Sequence, residues 1–234
     1  MPHTFAVIHR GTASRLPVVA LLCAVLLVGS LLVFHMSAVA DTARHCARFA
    51  SASAARAADD TGAGAPVVVI GDSYSVGLGL DRPARSWPAE LDGRVHVAGF
   101  SGSGFSEGAS GCGEVAFADR AADAVTGSPS LVVVEGGLND FDQSSAAITT
   151  GFARLMRVLE GQRVVVVGPV LAPARSVAVP RVDRLLAELA AEHGTAYVRT
   201  TGLRLDYLED RLHLTETGHR ELGRYVAEQV ATLG

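Results

Sequence analysis

APVVVIG, residues 65–71, is a run rich in β-branched residues that ends in glycine, and Asp72, Ser73, Tyr74 and Ser75 follow it. A short, continuously apolar stretch closed by glycine reads as a strand buried on both faces. RVHVAG (94–99), SLVVVEGG (130–137), QRVVVVGPV (162–170) and TAYVRT (195–200) repeat the pattern. Helical stretches are predicted between them at 84–92, 114–126, 144–160 and 179–193, with a last one over 215–233. The 179–193 stretch has proline near its start, carries Val182, Leu185, Leu186 and Leu189 on one stripe, and meets Gly194 as a stop. Five strands alternating with helices predict an α/β domain over 66–234. Its form is a three-layer α/β/α sandwich around a five-stranded parallel sheet, flavodoxin-like in kind. Ligands of such sheets bind at the carboxyl ends of the strands. Function is therefore sought after Gly71, Gly99, Gly137 and Thr200.

Those positions carry reactive groups. Gly71-Asp72-Ser73 follows the first strand, Gly99-Phe100-Ser101-Gly102 the second, and Gly137-Leu138-Asn139-Asp140 the third. Asp210-Arg211-Leu212-His213 leads into the final helix. A serine nucleophile needs a base, an acid that orients the base, and donors aimed at the developing oxyanion. Ser73, His213 and Asp210 supply the first three. The amides of Ser73 and Gly102, with the Asn139 side chain, supply the donors.

These four blocks, in this order, resemble those of the SGNH/GDSL hydrolase superfamily, and the likeness spans essentially all of 66–234. The resemblance implies Ser73 as nucleophile, Gly102 and Asn139 as oxyanion partners, and Asp210 and His213 as the rest of the triad. It also implies ester hydrolysis through an acyl-enzyme without metal or organic cofactor. Tyr74 stands where the family commonly has Leu, and Val97 and Ala98 replace an Asn often found near the second glycine. Neither departure removes a catalytic group.

Rival readings are few. Asp72 reads as a brace for the turn. His219 falls inside the last predicted helix, which favours packing; Asp206 and Glu209 are rival acids, and the i, i+3 spacing of Asp210 and His213, which resembles the family motif, favours Asp210. Gly104-Phe105-Ser106-Glu107-Gly108 fits G-x-S-x-G, yet that elbow needs a strand directly before it and a helix directly after it. Neither is predicted. Tyr74, Phe100, Phe105 and Leu138 are expected to line the pocket.

The other end of the chain differs in kind. Pro17 to Phe34 holds eighteen residues without a charge, about 27 Å of helix, close to the thickness of a bilayer core. Arg10 and Arg15 precede it, and Ala38-Val39-Ala40 offers a cleavage site. An uncleaved anchor and a cleaved secretory signal are both open, the length favouring the anchor. The expected organisation is a leader and membrane or signal segment at 1–40, an Ala/Ser-rich stalk at 41–65, and the catalytic domain at 66–234.

Composition excludes much else. All 20 basic residues are arginine, so Walker A, Ser–Lys and Schiff-base chemistries are absent. A net charge of −4 without a basic run argues against nucleic acid. Cys23, Cys46 and Cys112 show no metal-ligand spacing. In an oxidising compartment Cys46 and Cys112 are able to pair; the alternative leaves Cys112 buried and Cys46 free. The expectation is an extracytoplasmic serine esterase acting on a small-molecule, lipid or polysaccharide acyl ester, held to the membrane if its N-terminal helix is retained. An acyltransferase with the same triad and a catalytically silent binding module are the alternatives.

Overall fold

The structure is a computed structural model that describes residues 16–233, with the side chains of 16–25, 28 and 32 outside the description. One compact unit begins at His45. Helix α1 spans Leu16–Ala57. A six-stranded sheet follows, formed by β1 (Thr61–Ala63), β2 (Pro66–Gly71), β3 (Gly93–Gly99), β4 (Leu131–Glu135), β5 (Val164–Val167) and β6 (Ala196–Val198). The order across the sheet is β1-β3-β2-β4-β5-β6, and only β1 runs antiparallel.

Two corrections arise here. The sheet has six strands rather than five, because Thr61–Ala63 pairs with Gly93–Val95 as an edge strand. Three residues from a Gly/Ala-rich stretch carry no apolar pattern that would announce them. The segment expected as a stalk, with partial helix allowed over 43–57, is continuously helical through Ala57 and then adds β1 to the sheet. Its alanines favour helix intrinsically even where no amphipathic stripe is evident.

Alternate residues of the central strands face opposite layers, the period-two rule of strands. Val69, Val97, Val133 and Val167 pack with Trp87, Leu222 and Val226 on one face. Ile70, Val134 and Val166 pack with Phe117, Phe152, Leu155 and Leu186 on the other. The second face is covered by α3 (Phe117–Ala124), α4 (Ser145–Val158) and α5 (Val179–Glu192), the first by α6 (Glu216–Thr232). No α-helix forms over 84–92. Two 3-10 turns stand there, Pro83–Arg85 and Trp87–Glu90, since Pro88 lacks the N–H and would clash with the preceding turn of an α-helix.

Parallel register decides where loops emerge. Gly71 of β2 is the cross-strand partner of Gly99 of β3, so the chain leaves both strands side by side. The sheet order reverses between β2 and β4, the crevice where ligands bind in open α/β sheets.

Candidate active site

β2 ends at Gly71 because nothing larger fits. A Cβ there would lie 2.1 Å from Ser75 Oγ and 3.1 Å from Glu135 Oε2. The chain turns at once into α2 (Ser73–Val76), a single turn capped by Asp72, whose Oδ1 accepts the Tyr74 N–H at 2.9 Å. Ser73 is the first residue of this turn, where a backbone N–H has no helical acceptor. Among the described residues its amide donates to no protein group.

The Gly102 amide is equally unengaged among the described residues. Gly102 lies at φ +82°, a conformation that glycine adopts without strain. Helix α1 reaches this loop. The Phe49 and Phe100 rings meet edge to face at 6.2 Å, and Ser53 Oγ donates to the Gly99 carbonyl at 2.5 Å. Cys46 and Cys112 form a disulfide, with Cα atoms 5.4 Å apart.

Asn139 stands beyond the end of β4. Its Nδ2 donates to Asp72 Oδ2 at 3.0 Å and to the Ser103 carbonyl at 2.8 Å. Both protons of the amide are thus engaged. Its Oδ1 accepts from Arg175 Nη1 at 2.8 Å. Asp72 is sealed from solvent, and burial raises its carboxyl to about 6, against the pull of the Tyr74 amide, His213 and Arg175. Glu135 lies beneath the same turn, accepting from Ser75 Oγ at 2.8 Å and Trp87 Nε1 at 3.4 Å. Burial, and then the proximity of Asp72, push its carboxyl well above the usual range.

His213 and Asp210 form a pair. Asp210 Oδ2 lies 2.6 Å from His213 Nδ1, and Asp210 Oδ1 accepts the amides of Leu212 and His213, each at 2.9 Å. Partial burial would raise the Asp210 carboxyl, but these hydrogen bonds outweigh it and hold the group below the ordinary carboxylate range. Arg211 adopts φ +58°, unusual for a residue with a side chain. The turn around it points both Asp210 oxygens at the following residues. Tyr74 OH donates to the Leu212 carbonyl, and the Tyr74 and His213 rings lie 6.3 Å apart, so the residue after Ser73 touches the turn that carries the imidazole. Among the described residues Ser73 Oγ makes no hydrogen bond, to His213 or otherwise. Such contacts commonly tighten only when substrate is bound.

The rival residues lie elsewhere. Ser106 is buried and donates to Asp140 Oδ1 at 2.7 Å, with no strand before it. His219 is buried in α6, and desolvation, assisted by His213, lowers its imidazole to about 4. Neither Asp206 nor Glu209 bonds the His213 ring; Asp210 does. The expected lining is corrected at three positions. Phe105 is fully buried between Phe117 and Phe152, with ring centroids at 4.9 and 5.4 Å, and Leu138 and Tyr74 are buried in the opposite layer, the Tyr74 hydroxyl donating to the Leu212 carbonyl. Their apolar bulk serves the core, as the ordinary fate of such side chains suggests. Arg175, Glu135, Phe49 and Ser53 were not legible as site residues, because no motif spacing marks them. Among the described residues no group of three or more His, Cys, Asp or Glu side chains is placed to hold a metal.

Known proteins share this fold. A carbohydrate acetylesterase from Sinorhizobium meliloti superimposes with a TM-score of 0.61 at 17% identity, covering 73% of this chain and 100% of that one. The native aryl esterase of M. smegmatis gives 0.59 at 20% identity, with 73% and 100% covered. A family two carbohydrate esterase from Clostridium thermocellum, in complex with cellohexaose, gives 0.60 at 16% identity, with 74% and 65% covered. No curated protein sequence matches this chain. Residues 69–221 match the GDSL-like lipase/acylhydrolase family across the strand, turn and helix elements that carry Ser73, Gly102, Asn139, Asp210 and His213. The chain belongs to that family and is a serine hydrolase acting on esters.

Proposed function

We propose that the chain is an extracytoplasmic esterase that works through an acyl-enzyme on Ser73. His213 Nε2 takes the Ser73 proton as Oγ attacks the ester carbonyl. Asp210, on Nδ1, fixes the tautomer and stabilises the imidazolium. The amides of Ser73 and Gly102 and the Asn139 side chain meet the oxyanion of the tetrahedral intermediate. That intermediate collapses with proton return from His213 to the leaving alcohol. Water, deprotonated by the same imidazole, then releases the acid. The observation that carries this reading is the 2.6 Å Asp210–His213 pair, tied through Tyr74 to the turn that bears Ser73.

The apolar run 17–34 lies within helix α1, with the side chains of its first half, 17–25, and of 28 and 32 outside the description. Among the described residues no helix is long and apolar enough to cross a membrane. The uncharged sequence of that run and the Cys46–Cys112 disulfide support a domain tethered outside the cytoplasm, where disulfides persist. The names of the fold neighbours make carbohydrate acetyl esters and aryl esters the first substrates to try. Turnover of acetylated oligosaccharide and of aryl acetate by the full chain in detergent, set against Ser73→Ala, tests the reading. Equal turnover by both proteins would overturn it.

A further inference from the structure

We propose that Arg175 is a positioning residue of this hydrolase, acting through Asn139 to fix and polarise the amide that meets the oxyanion. The proposal rests on the reading of Asn139 as an oxyanion donor. Arg175 lies in the loop after β5, 36 positions from Asn139, and no motif of the sequence includes it. Its Nη1 donates to Asn139 Oδ1 at 2.8 Å and to the Leu138 carbonyl at 2.6 Å. Its guanidinium stacks over the Phe141 ring, 4.4 Å from the centroid. Phe141 is itself held, because Arg181 Nη2 donates to the carbonyls of Phe141 at 3.3 Å and Gln143 at 2.9 Å. The Ala174 amide donates to the Arg211 carbonyl at 3.0 Å, so the loop of Arg175 is bonded to the turn between Asp210 and His213.

This clamp answers a difficulty in the site. An amide nitrogen has two protons, and those of Asn139 are given to Asp72 Oδ2 and the Ser103 carbonyl. An oxyanion is a third acceptor, so it must share a proton already in use. A cationic donor on Oδ1 draws electron density out of the amide and leaves Nδ2–H more positive, which strengthens a shared bond. The same donor forbids rotation of the amide. A half-turn would set Nδ2 against the guanidinium and Oδ1 against Asp72 and the Ser103 carbonyl. Asp72 and Asp142 are the acidic groups whose charges act on Arg175, and Asp72 is the one bonded to Asn139. Arginine meets the task because its Nη1 donates to both Oδ1 and the Leu138 carbonyl while its guanidinium carbon lies over the Phe141 ring.

The test is a double-mutant cycle on the full chain in detergent, reading kcat and KM for an aryl acetate, with a thermal melt to check folding. Arg175→Met should lower kcat by about tenfold to a hundredfold, a share of what one oxyanion donor supplies, and leave KM within about twofold. Arg175→Lys keeps a charge and a donor, so it should recover part of that loss; it also carries the test where the methionine variant does not fold. In an Asn139→Ala background the Arg175 change should cost less than about threefold, because its target is gone. An unchanged kcat, an effect confined to KM, or the same fold-loss in both backgrounds overturns the proposal and leaves the Asn139 reading standing. An Asn139→Ala protein with full kcat removes the reading and the proposal together, and that single variant reveals it without reference to Arg175.

Discussion

Ser53, on helix α1, donates its hydroxyl to the carbonyl of Gly99, the last residue of β3, across 46 positions of sequence. Together with Phe49 on Phe100 and the Cys46–Cys112 disulfide, this bond fastens a helix to the loop that holds Gly102. A chain begun at His45 should therefore keep the stability and activity of the domain, and one begun at Pro66 should not. The disulfide alone stabilises by about 2–4 kcal/mol. Each kcal/mol moves Tm by about 2–4 °C at this size, so the shorter chain should melt about 10 °C lower, with reduced kcat. Matching melts and matching kcat for the two chains would show that the helix is dispensable.

The assignment of the nucleophile separates two serines. Ser73→Ala should lower turnover on the order of 10⁶-fold if the groups act as a unit. Ser106→Ala should keep turnover and instead lose stability of about 1–3 kcal/mol, because Asp140 Oδ1 is buried and would lose its hydroxyl donor. Ester kinetics and thermal melts of both variants distinguish the cases; an inactive but stable Ser106→Ala protein would reverse the assignment.

How much of this was legible from residues alone follows from what periodicity and spacing encode. Continuous Val runs mark strands buried on both faces, so β2 through β6 could be read, and with them the loops where Ser73, Gly102 and Asn139 stand. The Asp210–His213 pair could be read through the likeness of its spacing to the family motif, and in the fold that i, i+3 turn lets one carboxylate reach both the amides and the ring. β1 was hidden: Thr61-Gly62-Ala63 has no pattern, and its pairing depends on the edge that β3 leaves open. Phe105 misled, since an aromatic residue in a glycine-rich loop looks like a pocket wall until the helices that cover it are in place. Arg175 was silent for the same reason: its partner lies on another strand end.

The orienting acid makes its own forecast. Hydrogen bonds from His213 and two amides hold Asp210 ionised below the ordinary carboxylate range. It therefore stays charged wherever a histidine titrates, near pH 6.5. Asp210→Asn should cut kcat on the order of 10⁴-fold by favouring the wrong imidazole tautomer. Asp206→Asn should cost little, because no hydrogen bond joins the Asp206 carboxylate to the ring among the described residues. Steady-state kinetics on the two variants decide it, and a harmless Asp210→Asn would move the orienting role to another group.

His219 should make the fold sensitive to acid. Its Nδ1 accepts the Trp87 amide at 3.4 Å, its Nε2 is buried without a partner among the described residues, and desolvation lowers the imidazole to about 4. In the unfolded chain the same ring titrates near 6.5. Between those values the unfolded state binds a proton that the folded state refuses, so stability falls as pH drops from about 6.5 to about 4 and then levels off. The loss is about 3 kcal/mol, because each tenfold difference in proton affinity between the two states is worth roughly 1.4 kcal/mol. Asp72 works in the opposite direction. Its carboxyl is raised to about 6, so its contribution is present at low pH and is lost as pH rises from about 4 to 6. Glu135, whose carboxyl burial also raises, acts in the same direction as Asp72, so the unmodified protein alone does not isolate the His219 effect. His219→Asn retains an acceptor for Trp87 and has no titrating group, so a fixed packing cost separates it from the parent while the slope differs. Urea unfolding at intervals from pH 7 to 4 should show the parent losing about 3 kcal/mol relative to the variant. A constant difference across that range would mean that His219 carries its proton in the folded state as readily as in the unfolded one.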